Sequence, residues 1–373
     1  MRSLGLYLHI PFCVAKCRYC DFCSSPAGED IRRAYVAALC REIAANSQSA
    51  EDYVVDTAFF GGGTPSLLTP DCFLEIADTL RKHYAISPDV EWTAEANPAT
   101  VDEEKLAAMR RAGINRLSIG MQSAKDNELA ALGRAHCARD LYTAVSAARA
   151  AGFDNFNLDL MFGIPHQTKE SFADTLDTAI GLAPTHLSVY SLQIEEGTPF
   201  YAERDTLPLP SEDEEGEMSD LLLEKTAAAG YLRYEISNYA RAGYECRHNL
   251  RYWQMKDYLG FGIAAHSLLG DRRFYNREDL TAYLRDPFSL CVEEEILSTT
   301  EREYETVMLG LRTAAGLDDN AFREAFGYGF FEKYGERLAP FAAAGLVLRE
   351  GTRTALNARG MALSNTILSK ILD

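Results

Sequence analysis

The 373-residue chain has no apolar run approaching 18 residues, so nothing in it reads as a membrane-spanning helix. It also lacks any Lys/Arg-rich tract. With 37 basic and 55 acidic residues the formal charge is −18. A surface of that sign repels duplex nucleic acid and anionic membranes over most of its area, and no nucleic-acid partner is expected. The opening MRSLGLYLHIPFC has neither an apolar signal core nor a small-residue cleavage site, which leads us to expect a cytoplasmic protein. No internal repeat or low-complexity tract is visible. The cysteines do not add up to a disulfide framework either. Nine is an odd count, and four of them (Cys13, Cys17, Cys20, Cys23) fall within 11 residues. In a reducing compartment such a cluster reads as metal binding, and the scattered five as small buried hydrophobes.

What is present first is alternation. Apolar runs at Leu4–Ile10, Tyr53–Phe60, Val90–Ala94, Arg116–Met121, Asn155–Met161 and His186–Leu192 are separated by helical patterns. Those patterns cover Ile31–Asn46, Pro70–Tyr84, Val101–Ala112, Ala124–Leu132, Arg139–Ala151 and Lys169–Leu182. Six such β-α units predict an α/β fold with a parallel sheet, either a partial barrel or a doubly wound sheet. In a barrel, ligand sites lie at the C-terminal strand ends. Cys13, Gly61, Glu95 and Gln122 follow such ends, and Asp159 lies within the fifth run. The alternation stops near residue 200. Leu207–Pro210 and the acidic Glu212–Glu215, read as a linker or a first helical turn, mark a junction. We expect residues 1–205 to form the first domain and 206–373 a smaller, mostly helical one. In the latter, Thr300-x-x-Glu303 reads as a capping box opening a helix through Leu311. Leu346–Glu350 and Thr352–Asn357 read as a hairpin, with one helix from Ala358 to the end, giving a winged-helix-like unit.

Cys13-x3-Cys17-x2-Cys20 can place three thiolates on three irons of a [4Fe–4S] cubane, leaving the fourth open to a small molecule. A structural zinc site using Cys23 as fourth ligand is the alternative. A ferredoxin-like run fits less well, because Pro26 has no cysteine before it. Tyr19 and Phe22 interleave the cysteines and can screen a cluster from water and oxygen. Gly61-Gly62-Gly63-Thr64-Pro65-Ser66 leaves the second strand, and its glycines let the backbone approach a ligand closely.

These segments resemble the oxygen-independent coproporphyrinogen III oxidase-like family of the radical S-adenosylmethionine (SAM) superfamily. The resemblance starts at Tyr7-x-His9-Ile10-Pro11-Phe12-Cys13 and runs through Gly61–Ser66, Glu95–Pro98, Arg116–Ser123, Asp159–Pro165, Ile194–Pro199 and Tyr234–Tyr239. His248-Asn249-x2-Tyr252-Trp253 and Leu363-Ser364-Asn365 are narrower and resemble its HemW haem chaperone branch. The resemblance implies a partial (β/α)6 barrel of TIM type, followed by a C-terminal domain of the HemW/HemN kind. It implies Cys13, Cys17 and Cys20 as cluster ligands, with SAM chelating the fourth iron. Gly62, Gly63 and Thr64 would line the methionine moiety. Glu95 would sit near the ribose or amino group, and Gln122, Arg134 and Asp159 would hold the carboxylate and ribose hydroxyls. Tyr7, Tyr19 and Phe22 would flank the cluster and adenine. His248, with Tyr252 and Trp253 beside it, would bind haem; His266 is the weaker candidate. Haem and haem-acceptor proteins at the membrane, respiratory haem proteins among them, would be the partners, and a homodimer fits the resemblance.

Two departures argue against the oxidase activity itself. Phe22 stands where the oxidase pattern has a cysteine, and Cys23 comes one residue later. The oxidase also binds a second SAM through sequence ahead of Tyr7, and here only six residues precede it. The resemblance therefore implies a haem chaperone first and a radical SAM enzyme on a porphyrinogen second.

Overall fold

The computed structural model describes residues 1–372, with side chains described for all of these except residues 292–294. Its first half is a run of β-α units. The strands are β1 (Arg2–Ile10), β2 (Tyr53–Gly62), β3 (Ile86–Ala96), β4 (Arg116–Gln122), β5 (Phe156–Phe162) and β6 (His186–Ser191). The helices are α1 (Glu29–Ala45), α2 (Pro70–His83), α3 (Glu103–Ala112), α4 (Asp126–Ala131), α5 (Ala138–Ala150) and α6 (Lys169–Gly181). β1 to β6 pair in chain order, all parallel.

Strand parity decides which side chains face the helices. On β1, Leu4, Leu6, Leu8 and Ile10 are fully buried with Tyr35, Val36, Leu39 and Ile43 of α1. Each such aliphatic side chain contributes about 1.5–3 kcal/mol of burial. Leu117, Ile119 and Met121 of β4, Leu158 and Leu160 of β5, and Leu187 and Val189 of β6 repeat the pattern. The alternate residues face inward and are polar or aromatic: Tyr7, Phe59, Glu95, Arg116, Asp159 and Ser188 line one cavity. Six strands contribute to that one cavity, so the sheet curves around it as a partial barrel.

After α7 (Pro199–Glu203) and α8 (Glu212–Ala228) the chain adds strands to both edges. β7 (Leu232–Arg233) and β8 (Asn238–Ala240) extend the β6 edge antiparallel. Then α9 (Arg247–Trp253) leads to β9 (Tyr258–Phe261), which pairs parallel with β1. β10 (His266–Leu269), β11 (Arg272–Asn276) and β12 (Cys291–Ile296) continue that edge, completing a 12-stranded sheet. The helical pattern read beyond residue 206 thus omits six short strands of this sheet. The acidic run is the first turn of α8, capped by Ser211 and Glu214.

α9 packs across the N-terminal ends of the barrel strands. Arg251 pairs with Asp56 and donates to the Ser3 and Asp257 carbonyls, and Arg247 donates to the Asp89 carbonyl. Gly5 makes room, since a Cβ there would stand 2.4 Å from Arg251 Cδ. α10 (Leu280–Arg285) and α1 are joined through Glu42, which accepts from Tyr283, Asn276 and the Gly262 amide.

The end of the chain has its own core. α11 (Thr299–Gly310), β13 (Leu317–Asp318), α12 (Asp319–Phe326) and α13 (Phe330–Ala343) precede the hairpin β14 (Val347–Glu350) and β15 (Arg353–Leu356). The capping box of α11 is Ser298 with Glu301, two residues earlier than the sequence suggests. Glu303 is instead buried, bonded to Tyr328, Lys333 and Tyr334. The hairpin forms as expected. The terminal helix is two pieces, α14 (Ala358–Ala362) and α15 (Ser364–Leu372), broken at Leu363.

Candidate functional site

The cysteine loop joins β1 to α1 and is pinned at both ends. Cys13 N–H donates to Ser25 O and Ser25 N–H to Pro11 O, closing its base. Arg18 N–H donates to Leu132 O, and Phe200 N–H to Arg18 O, tying its middle to the far side of the barrel. Cys13, Cys17 and Cys20 line one cavity of about 370 Å³ at the C-terminal strand ends. Cys13 Sγ is 3.5 Å from Thr64 Oγ1, and Arg134 Nη1 approaches Cys17 Sγ at 3.7 Å. Burial pushes the Cys20 thiol up, opposed by the Phe22 amide. Among the described residues, no three Cys, His, Asp or Glu side chains converge as ligands of one metal ion.

The glycine run supplies the adjoining wall. Gly62 takes φ +105°, and a Cβ there would lie 2.5 Å from the His9 ring. Gly63 is hemmed in by backbone: a Cβ would meet Phe12 O at 2.6 Å, because Gly63 N–H and Thr64 N–H bond to the Ile10 and Phe12 carbonyls. Glu95 stands beside them at the end of β3. Burial, with the nearby Asp159 charge adding, pushes its carboxyl up to about 8, so it holds its proton at neutral pH. Asp159 itself is raised by burial; it accepts from Ser118 at 3.2 Å and Asn157 at 2.7 Å. Gln122 ends β4 with φ +62°, a left-handed backbone held against its preference. Arg134 Nη2 donates to Gly120 O at 2.9 Å, while its buried Nε has no partner.

Twelve of the fourteen residues expected from sequence therefore line this cavity, Tyr19 and Phe22 included. Tyr19 packs toward the apolar cluster of Leu132, Met161 and Phe200, and burial raises its phenol. Phe22 is 62% exposed, at the rim. The other two, Tyr7 and His248, line an inner cavity of about 180 Å³ nearer α9. Tyr7 Oη bonds His9 Nδ1 at 3.1 Å. His248 is 1% exposed, stacked on Phe59, with Nδ1 at 2.9 Å from Thr57 Oγ1 and Nε2 at 2.8 Å from Tyr252 Oη. Burial, aided by Arg251 and Arg116, pushes its pKa down to about 3. In this arrangement neither ring nitrogen is free. Cys23 lines a third, side cavity of about 390 Å³ with Glu278 and the exposed His266. Burial, then the Glu278 charge, pushes its thiol up to about 11.

Residues 7–179 match the radical SAM superfamily model, and residues 290–363 the HemN C-terminal domain. The chain is 35% identical to the haem chaperone HemW of Bacillus subtilis over 98% of both chains. The chain belongs to the HemW family of radical SAM proteins. The HemW of Haemophilus influenzae is 38% identical over 87% of this chain and 86% of its own, and that of Escherichia coli 42% over 70% and 69%. Among solved structures, the radical SAM enzyme coproporphyrinogen III oxidase (HemN) of Escherichia coli superposes with a TM-score of 0.87 at 26% identity. The match covers 99% of this chain and 90% of that one. The barrel explains what sequence reading missed. Arg116, Ser118, Asn157, Ser188 and Tyr190 also face the barrel interior. The signal was available as polar residues at every second position of β4, β5 and β6.

Proposed function

We propose that the protein is a haem carrier built on a radical SAM scaffold. In this reading Cys13, Cys17 and Cys20 hold a [4Fe–4S] cluster, and the fourth iron is left to SAM. When bound, that pair supplies one-electron chemistry at the SAM sulfonium. The chain's own residues bind and orient. Arg134, which lines the cavity and has an unpaired, enclosed Nε, offers a planar fork to a carboxylate. The Gly62-Gly63-Thr64 backbone receives a methionine chain, and Gln122 and Asp159 accept from ribose hydroxyls. Glu95 offers a proton toward the ribose or amino group. Tyr7 and Tyr19 flank the cluster and adenine, and Phe22 shields the rim. The observation that carries the cofactor half is the convergence of the cysteine loop, the glycine run and the ends of β3, β4 and β5 on one cavity.

The haem half rests on the chaperone name carried by relatives at 35–42% identity. In this reading the protein works in the cytoplasm and hands haem to respiratory haem proteins, with no helix of its own among the described residues long and apolar enough to cross a membrane. Iron ligation by His248 requires its bond to Thr57 or Tyr252 to open. Optical titration of the anaerobically reconstituted protein with haem tests the reading. Saturable binding is expected; absence of binding ends it. Loss of the haem spectrum's axial-ligand features in a folded H248A protein would assign ligation to His248, and their retention would remove it. The structural likeness to HemN favours a second reading, catalysis on a porphyrinogen.

A further inference from the structure

We propose that the inner cavity of the barrel is a receptor for a carboxylate group, held by the Arg116 guanidinium. Arg116 leaves β4 toward the barrel interior, is 2% exposed and lines the cavity. Among the described residues it has no hydrogen bond and no ion pair, and its enclosed Nε has no partner. A buried guanidinium without an acceptor is costly, and its fork of donors matches a planar carboxylate. The two carboxylates that act on its charge accept hydrogen bonds from other donors. Glu91 accepts from the Arg247 and His248 amides at 3.2 and 3.1 Å, and Asp159 from Ser118 and Asn157.

Size narrows the occupant. A space of about 180 Å³ equals roughly six water volumes. It admits a carboxylate on a short alkyl arm and is smaller than a whole tetrapyrrole. The upper cavity shares Glu95, Ser118, Asp159 and Tyr190 with it, and the side cavity shares Tyr7, Glu95 and Tyr252. An acid arm can therefore reach Arg116 while the body that carries it stays outside. The carboxylate comes either from a propionate arm of the tetrapyrrole, which rests on the haem reading above, or from a free short-chain acid.

The test compares haem with haem dimethyl ester on the reconstituted protein, and measures melting temperature with and without sodium propionate. With an arm as occupant, wild type binds haem about tenfold or more tightly than the ester, and R116Q binds both alike. With a free acid as occupant, propionate raises the melting temperature of wild type and not of R116Q. Arg116→Lys, which keeps the charge without the fork, loses part of either effect. Equal binding of acid and ester together with no response to propionate overturns the proposal. Both comparisons are made on wild type, so a misfolded R116Q does not remove the test. If wild type takes up no haem at all, the haem reading falls, and the propionate comparison alone decides the carboxylate site.

Discussion

Gly63 and Glu95 are the residues at which the site's chemistry is most exposed to measurement. A methyl at Gly63 meets backbone atoms, which cannot swing aside as a side chain can. Gly63→Ala is therefore expected to cost about 1–3 kcal/mol or more in thermal unfolding and to open the cradle. Unchanged stability would mean that the loop there is looser than described. Glu95 titrates in the opposite sense to an ordinary surface carboxylate. Its folded pKa lies above the unfolded value, so its stabilising share is present below about pH 4.5 and is lost as the pH rises through about 8. Cofactor-free Glu95→Gln should gain on wild type across that window by a few kcal/mol at most. A constant difference at all pH values would contradict the burial argument. The cysteines were legible in sequence because their spacing encodes their chemistry. Arg116 and the engagement of His248 were not, because Thr57 and the cavity walls that decide their roles lie far away in the chain.

Elements of β-α type were legible because parity and helical period repeat within each one. β7 to β12 were not, since two to six residues carry too little period to separate a strand from a loop. Their pairing is decided by the edges of β1 and β6, a property of the assembled sheet. Glu42 is the joint between these late elements and α1, and it is 5% exposed. Glu42→Ala leaves the Tyr283 hydroxyl and the Gly262 N–H without their acceptor, and the Asn276 amide with the Gly262 carbonyl alone. Urea unfolding should show a loss of about 3 kcal/mol or more, with Glu42→Gln restoring part of it. A loss under about 1 kcal/mol would mean that the late strands do not depend on this joint.

At the scale of the molecule, one sheet carries a cavity at its upper end and α9 across its lower end, with the cysteine loop over the top. Cys23 lines the side cavity and not the space that Cys13, Cys17 and Cys20 share. Iron and acid-labile sulfide after anaerobic reconstitution should accordingly fall sharply in Cys13→Ser, Cys17→Ser or Cys20→Ser and stay near wild type in Cys23→Ser. Loss in Cys23→Ser as well would favour the four-thiolate alternative. The same scaffold serves HemN, so fold alone does not choose between carrier and oxidase. The most direct measurement incubates the reconstituted protein with coproporphyrinogen III, SAM and a reductant under strict anaerobiosis, then assays decarboxylated product and 5′-deoxyadenosine beside haem uptake by the same preparation. The carrier account predicts haem uptake with no decarboxylated product. Substrate-dependent 5′-deoxyadenosine with matching decarboxylation would contradict it.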